Sequence, residues 1–441
     1  MKMTDIASVQ SLLTNGKVNS VELAQESLQK IKQHHQEGGK AWVSVDEAAV
    51  LAQAEAADAQ RRAGYVASPL AGIPVSVKDS FDVKGEVSAA GSKLFAQHEA
   101  ATKDAPAISA LRAAGAVLVG RTNMSEFAFS GLGYNPHHGT PCHPQRPDYI
   151  AGGSTSGGAV SVAGGMVLAG LGSDTGGSLR IPAAFCDAVG FKPTAARVSR
   201  QGVVPLSHSF DSVGAITHSV RDCALVDGVL SGQGHDLQAA PLAGLRLFVT
   251  EDYVLDQLAP EVAAAFSHSV TKLSQLGATI VPFAFSELHR IPEINAAGGL
   301  TAAEVWSEHQ DFFDAARAEY DPLVATRIER GRHISAGDYL RVQQQRAGLI
   351  ELAQARLAYA DAWLMPTVAI GAPKLTELAD ADTFFRLNAL ALRNTTVLNF
   401  LDGCAVSLPL GQGLGLSVGG LAGQDAKILN VALSIEQALI R

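Results

Sequence analysis

Two segments rich in glycine and serine constrain the fold of this chain more than any other feature. The first, Gly152–Gly158, reads GGSTSGG, and the second, Asp174–Ser178, reads DTGGS. Between them, residues 159–169 are small and apolar without proline, which predicts a closely packed buried helix. Leu171–Asp174 is then long enough only for a strand or a turn. The pattern therefore predicts a loop, a buried helix and a second loop that bring two serines close together.

The residue types in these segments suit nucleophilic catalysis. A serine hydroxyl is a weak nucleophile until a base removes its proton. Glycine lets the backbone approach a reacting group and point N–H groups at it, so the N–H groups before Ser178 could hold a developing oxyanion. Taken alone, each segment is also compatible with an ordinary Ser/Gly turn of an α/β protein. Phosphate binding is not supported, because the Gly-Lys-Ser/Thr of a P-loop is absent.

The wider pattern resembles the amidase signature family. The second segment continues as Asp174-Thr-Gly-Gly-Ser-Leu-Arg-Ile-Pro-Ala183, and Gly72-Ile-Pro-Val-Ser-Val-Lys-Asp79 precedes both serines. The match is continuous from about residue 70 to 194 and weaker but ordered elsewhere. The resemblance implies an α/β fold: a single domain over residues 1–441, with a large central mixed β-sheet sandwiched between α-helices.

The same resemblance implies roles for individual residues. Ser178 is the nucleophile, Ser154 relays its proton and Lys78 is the base. The N–H groups of Thr175, Gly176 and Gly177 form the oxyanion hole. From its position alone, Lys78 is more typical of a structural residue in a salt bridge, and the resemblance changes that interpretation. Because it follows an apolar run, burial is expected to lower its pKa from about 10.4, as a lysine base requires.

The relay loop departs from the family's Gly-Gly-Ser-Ser-Gly-Gly pattern by one residue. Alignment on the later glycines makes Thr155 the relay, whereas alignment from Gly152 makes it Ser154. The family keeps 24 residues between relay and nucleophile, and only Ser154 has that spacing to Ser178. The resemblance also implies a cis peptide bond at the relay serine, and it makes Asp174 and Arg180 an ion pair that supports the loops.

A loop-rich, aromatic stretch between residues 123 and 139 also resembles the family, where this region flanks the acyl pocket. We therefore predict that four of its side chains bind substrate. They are Met124, Phe127, Tyr134 and His138. A metal site or a histidine base at His137 and His138 is an alternative, but no further His, Asp or Glu cluster lies nearby. His34 and His35 are expected in a polar turn, and the four cysteines lack metal-ligand spacing. We expect no metal and no cofactor.

The rest of the chain alternates helical and strand patterns, which favours α/β layering. From about residue 287 to 359 the sequence becomes mostly helical and charged, with Glu304, Arg327, Tyr339 and Arg346. We interpret this segment as a helical insertion that covers the site.

Composition excludes several classes of protein. The 441 residues carry a net charge of −9, which argues against direct binding of nucleic acid. No uncharged apolar run is long enough to span a membrane, and the start, MKMTDIASVQ, lacks the apolar segment of a secretory signal. Scattered cysteines suggest reduced thiols. We therefore expect a cytoplasmic protein whose partner is a small-molecule amide, and we leave a homodimer open.

The resemblance implies an amidohydrolase that cleaves a carboxylic amide C–N bond through an acyl-enzyme on Ser178 and releases ammonia or an amine. The longer relay loop resembles that of allophanate- and biuret-type amidases, which hints at a small amide or a urea-like substrate. An alternative is the glutaminase component, the A subunit, of a glutamyl-tRNA amidotransferase. The segment 135–141, NPHHGTP, looks more like that of stand-alone amidases. A noncatalytic binding module would have lost a residue of the triad, and all three are present.

Overall fold

Continuous apolar or small-residue runs form the central strands of this protein. In the computed structural model, which describes residues 5–439, Pro74–Lys78 and Ala169–Asp174 are strands in which every residue is buried. Runs without polar alternation are typical of strands covered on both faces. The structure therefore places Lys78 and Asp174 at the ends of two neighbouring buried strands inside the sheet.

The strands form one mixed sheet of eleven strands and a separate hairpin of two. Their order in the large sheet is β1-β3-β2-β6-β8-β7-β12-β13-β11-β9-β10. The strands are β1 Trp42–Ser44, β2 Pro74–Lys78, β3 Val117–Thr122, β4 Cys142–His143, β5 Arg146–Ile150, β6 Ala169–Asp174, β7 Val189–Lys192, β8 Ser212–Thr217, β9 Arg246–Val249, β10 Thr279–Pro282, β11 Ala362–Pro366, β12 Cys404–Gly411 and β13 Leu414–Gly420. Because β2 lies between β3 and β6 and is parallel to both, its carboxyl end meets theirs at one edge.

Helices lie on both faces of this sheet, as the predicted fold class requires. They are α1 Ile6–Thr14, α2 Ser20–Gln36, α3 Glu47–Arg62, α4 Pro106–Ala113, α5 Ser156–Ala163, α6 Arg180–Phe185, α7 Val220–Ser231, α8 Pro260–Gln275, α9 Arg290–Ile294, α10 Gly299–His309, α11 Phe313–Ala316, α12 Pro322–Glu329, α13 Ala336–Arg356, α14 Ala381–Phe400 and α15 Asp425–Leu439. Among the described residues, no helix is long and apolar enough to cross a membrane.

The buried helix between the two serine loops is shorter than the sequence predicts. α5 ends at Ala163, with Gly164 as its C-cap, and Gly165 has a positive φ of 64°. Glycine readily adopts that conformation and ends helices, so the chain turns there and enters β6 at Ala169. A second prediction was also wrong, because His34 and His35 lie in the last turn of α2 and not in a loop.

Between residues 286 and 356, the described chain forms helices and turns and contributes no strand to the sheet. Val305 of α10 and Ile328 of α12 share an apolar cluster with Phe127 and Phe129. Leu349 of α13 packs in another cluster with β11 and α14. These helices therefore cover the loop that follows β3, close to the edge of the sheet where β2 and β6 end.

Candidate active site

Lys78 is the last residue of β2, and its ammonium group is fully buried between the two serine loops. Its Nζ lies 2.8 Å from Ser154 Oγ and 2.9 Å from Ser173 Oγ, and 3.4 Å from the carbonyl oxygen of Ser173. Ser173 precedes Asp174 at the end of β6, which is parallel to β2 and adjacent to it. Sheet geometry thus brings the amine of Lys78 to the hydroxyl of Ser154, and it adds the hydroxyl of Ser173, which sequence reasoning missed.

The surroundings of Lys78 favour a neutral amine. Burial lowers the pKa of Lys78 from 10.5 to about 7, although the carboxylates of Asp211 and Asp174 act in the opposite direction. A buried ammonium ion loses the solvation that stabilises its charge in water. A substantial fraction of the amine is therefore unprotonated near neutral pH, which is the state that can accept a proton.

The first serine loop holds Ser154 in an unusual backbone geometry. The peptide bond between Gly153 and Ser154 is cis, as the family resemblance implies. Gly153 donates its N–H to the carbonyl of Gly131 at 2.8 Å, and a Cβ placed on Gly153 would lie only 2.5 Å from the backbone nitrogen of Gly133. No side chain fits at that distance, so glycine is required there for packing.

The hydroxyl of Thr155 forms no hydrogen bond with Lys78, although both groups donate to the carbonyl of Ser173. Thr155 does so at 3.3 Å, and its methyl group lies against Gly172. Its backbone N–H donates to the carbonyl of Ser178 at 3.1 Å, which joins the two loops. Of the two hydroxyls that the sequence offers as a relay, only that of Ser154 contacts Lys78 in the structure.

Ser178 lies on the second loop and lines a cavity of about 320 Å³. Within residues 5–439 its hydroxyl has no protein hydrogen-bond partner, and neither do the backbone N–H groups of Thr175 and Gly176. Thr175 and Gly176 line the same cavity. A hydroxyl and two free N–H groups therefore face one space, which is what acyl transfer needs.

The predicted oxyanion role of Gly177 needs correction. Its N–H donates to Asp174 Oδ1 at 2.9 Å, and the carbonyl of the same peptide unit, that of Gly176, accepts from Thr395 Oγ1 at 2.6 Å. Both ends of this peptide are thus engaged and hold its orientation. The sequence could not show this, because Thr395 lies more than 200 residues away in α14.

Asp174 and Arg180 form a fully buried ion pair, as expected. Arg180 donates from Nη2 to Asp174 Oδ1 and from Nε to Oδ2, both at 3.0 Å. Asn399 of α14 donates to Asp174 Oδ1 at 2.8 Å. Burial alone would raise the pKa of Asp174, but Arg180 outweighs that effect and holds it at about 2. The carboxylate stays ionised and fixes the loop that carries Ser178.

Asp211 is a further buried carboxyl group that sequence reasoning missed. It accepts a hydrogen bond from Thr175 Oγ1 at 2.5 Å, and the N–H groups of Leu206 and Ser207 donate to its other oxygen at 3.0 Å. Burial raises its pKa. It anchors Thr175, and no motif around it in the sequence signals that role.

The four predicted substrate-binding residues do not line the cavity. Met124 and Phe127 are fully buried behind its wall. Tyr134 packs with its ring 6.0 Å from that of Phe384, and burial lowers the pKa of His138, which lies near Asp79.

A left-handed turn explains the displacement of the Phe127 ring. Phe127 and Ala128 both have positive φ values, which turn the ring of Phe127 towards Phe95 and His309. Two residues later, Phe129 lines the cavity instead. From this loop Ala128, Phe129 and Ser130 line the cavity, and substrate binding by the four predicted side chains stays a prediction.

Other residues reach the cavity from distant parts of the chain. Phe129 and Ser130 come from the loop after β3, Asn295 follows α9, and Arg327 lies on α12. Leu392, Thr396 and Asn399 come from α14. In residues 5–439 no group of three or more His, Cys, Asp or Glu side chains could hold a metal ion. His137, for which a metal role was an alternative, has Nε2 at 2.9 Å from Glu126 Oε1.

A buried lysine beside two serine loops, at a cavity edged by free backbone N–H groups, is typical of a serine-dependent hydrolase. The family described as Amidase matches residues 22–429, and the chain belongs to it. It is accordingly a hydrolase of carbon–nitrogen bonds, and enzymes of this family act on small amides.

Individual relatives extend over nearly the whole chain. It is 35% identical to 2-amino-5-chloromuconic acid deaminase of Comamonas testosteroni, over 90% of this chain and 87% of that protein. It is 32% identical to the A subunit of the glutamyl-tRNA(Gln) amidotransferase of Cupriavidus metallidurans, over 99% and 97%. A crystal structure described as that of an amidase has a TM-score of 0.89 and 32% identity, over 99% and 100% of the two chains.

Proposed function

We propose that this amidase cleaves a small amide through an acyl-enzyme on Ser178, with Ser154 as relay and Lys78 as base. The contact that carries the proposal is the 2.8 Å distance between Lys78 Nζ and Ser154 Oγ, beside the cavity that Ser178 lines. The lowered pKa of Lys78 supports its role as a base. Asp174 and Arg180 hold the loop in place.

The steps follow from these positions. Neutral Lys78 accepts the proton of Ser154, which takes that of Ser178 as the Ser178 oxygen attacks the amide carbonyl. The N–H groups of Thr175 and Gly176 stabilise the resulting oxyanion. The proton returns along the same path to the nitrogen of the leaving ammonia or amine. Water, activated by the same groups, then releases the acid.

Two finer expectations belong to the same proposal. We place the enzyme in the cytoplasm, an assignment supported by the four free cysteines, three of them buried. The oligomeric state that we consider for this chain is a homodimer. Size-exclusion chromatography with light scattering measures that state directly.

The second candidate is a component of a glutamyl-tRNA amidotransferase, which the 32% identical relative from Cupriavidus metallidurans favours. The two functions differ in what the isolated chain does. We expect the purified protein alone to release ammonia from simple amides, whereas the amidotransferase alternative predicts that glutamine turnover depends on partner proteins.

The experiment that tests the proposed function measures ammonia release from a panel of amides, with Ser178→Ala as the paired variant. The wild type should turn over at least one amide, and Ser178→Ala should fall to the uncatalysed background while it keeps its melting temperature. Turnover by Ser178→Ala near the wild-type rate would refute the role of Ser178.

A further inference from the structure

The cavity beside Ser178 is cationic in a chain that is acidic as a whole. Three arginines line it, Arg327, Arg330 and Arg393, and none of its lining residues among those described is aspartate or glutamate. The whole chain carries a net charge of −9. A concave surface of one charge sign concentrates ligands of the opposite sign. The lining thus favours an anion over a neutral or cationic molecule.

Arg327 is held in place by the protein but has no counter-ion among the described residues. Its guanidinium carbon lies 4.0 Å from the centre of the Phe129 ring, and Nη1 donates to the Phe129 carbonyl. In the part of the chain that the structure describes, it forms no ion pair and no other side-chain hydrogen bond. Burial lowers its pKa to about 10, so it is still a cation at neutral pH. Its remaining N–H donors face the cavity without an acceptor.

The other two arginines differ in how fully they are used. Arg393 donates to the side chain of Asn394 and to the carbonyls of Val254 and Asp256. Because protein acceptors already use these donors, we assign Arg393 a structural role. Arg330 follows Arg327 by three residues and therefore shares its side of the helix end. It is exposed and, among the described residues, has no ion-pair partner. Arg327 and Arg330 together form a site with spare donors.

The guanidinium of Arg327 is half-buried, and a partly desolvated cation without a counter-ion is unfavourable unless a ligand supplies the negative charge. Arginine pairs especially well with carboxylates, because its planar fork donates two parallel hydrogen bonds. Resting on the proposed function, we propose that the substrate is a small amide with a second, carboxylate end, which binds Arg327 and Arg330 while the amide carbonyl reaches Ser178. Such compounds are monoamides of dicarboxylic acids.

The same lining predicts what the cavity rejects. An amino acid amide such as glutamine carries an ammonium group beside its carboxylate. With no acidic side chain in the described lining, that ammonium would lose water without gaining a carboxylate as counter-ion. Glutaramate, which is glutamine without its amino group, should therefore be the better substrate of the two. This comparison also separates the proposed amidase from the glutaminase of an amidotransferase complex.

The test compares three amides of equal chain length with the wild-type enzyme: glutaramate, glutamine and pentanamide. We expect kcat/KM for glutaramate to exceed that of the other two by about 10- to 100-fold, the range of one charge-assisted hydrogen-bond site. Malonamate, succinamate and adipamate then report the best spacing between carboxylate and amide. Equal turnover of pentanamide and each monoamide would overturn the inference but leave the amidase proposal standing. No turnover of any amide would instead count against the proposed function.

Two variants and a control locate the effect. Arg327→Gln and Arg330→Gln should each lower the preference for the best monoamide over pentanamide, and weaken competitive inhibition by glutarate, by about tenfold or more. Arg341→Gln is the matched control, because Arg341 is exposed on α13 and pairs with Asp338 away from the cavity. Arg330→Gln keeps the test decisive if Arg327→Gln does not fold. An unchanged preference in Arg330→Gln and in folded Arg327→Gln would refute the assignment.

Discussion

Replacing Lys78 with methionine tests its role as a base through two measurements that respond in different pH ranges. Methionine retains an unbranched apolar stem but cannot accept a proton. We expect kcat/KM to fall by about 10²- to 10⁴-fold, the usual contribution of general acid–base catalysis. In the wild type, kcat/KM should rise about tenfold per pH unit below the Lys78 pKa of about 7 and level off above it.

The stability of the folded chain provides the second measurement. Since burial lowers the pKa of Lys78 from 10.5 to about 7, the unfolded chain binds more protons than the folded one between these values. Wild-type stability therefore rises with pH in that window, and below pH 7 the buried amine destabilises the fold by about 5 kcal/mol. The methionine variant lacks this contribution. Its stability relative to the wild type should fall by about 2 kcal/mol between pH 7 and pH 9.

Urea unfolding of both proteins at pH 7, 8 and 9 measures that difference, and the subtraction between pH values cancels packing effects of the substitution. Lys192→Met is the matched control. Lys192 is also buried, with a pKa lowered to about 8, but its Nζ donates to the carbonyl of Pro193. Relative to the wild type, the stability of Lys192→Met should also fall as the pH rises. Its kcat/KM should still rise with pH below about 7, as in the wild type. A wild-type kcat/KM that is flat from pH 6 to 8 would refute the reasoning.

Three further predictions concern the loops and metals. Ser154→Ala should lower kcat/KM by about 10²- to 10⁴-fold, less than Ser178→Ala because water can replace a relay, whereas Thr155→Ala should lower it less than tenfold. If Thr155→Ala loses more kcat/KM than Ser154→Ala, the relay is Thr155 and not Ser154. Arg180→Met should reduce the free energy of unfolding by about 3–5 kcal/mol, because Asp174 is left buried and unpaired. An unchanged urea midpoint would contradict this. Dialysis against a chelator should leave amide turnover intact, and activity restored specifically by zinc would contradict that prediction.

The sequence allowed prediction of those parts of the candidate site whose residues lie close together in the chain. Lys78 ends an apolar run, and the two serine loops flank a small helix, so each element could be placed from local pattern and family resemblance. The spacing that favoured Ser154 over Thr155 agrees with the contact to Lys78. Parallel pairing of β2 and β6 then brings these segments together.

The walls of the cavity could not be predicted in the same way. Phe129, Asn295, Arg327 and Leu392 are far apart in the chain and meet only through packing of helices on the loop after β3. The sequence indicated Arg327 only as one charged residue of the helical segment 287–359, and it gave no sign that this residue lines the cavity. Phe127 was predicted in place of Phe129, because nothing in the local pattern reveals the left-handed turn that reverses the two rings.

The division between sheet and helices has a consequence for how such enzymes diversify. Lys78 ends strand β2, and the two serines lie on loops that close glycine contacts hold in place, as at Gly153, whose Cβ would collide with the backbone of Gly133. Arg327, which faces the cavity from α12, contacts Phe129 and none of these groups, whereas Thr395 and Asn399 of α14 hold Gly176 and Asp174 in place. Mutational drift can therefore alter the acid that is accepted without touching the cleavage chemistry. A directed library confined to the cavity-facing side of α12 would explore new amides while it leaves the loop of Ser178 and its contacts with α14 unchanged.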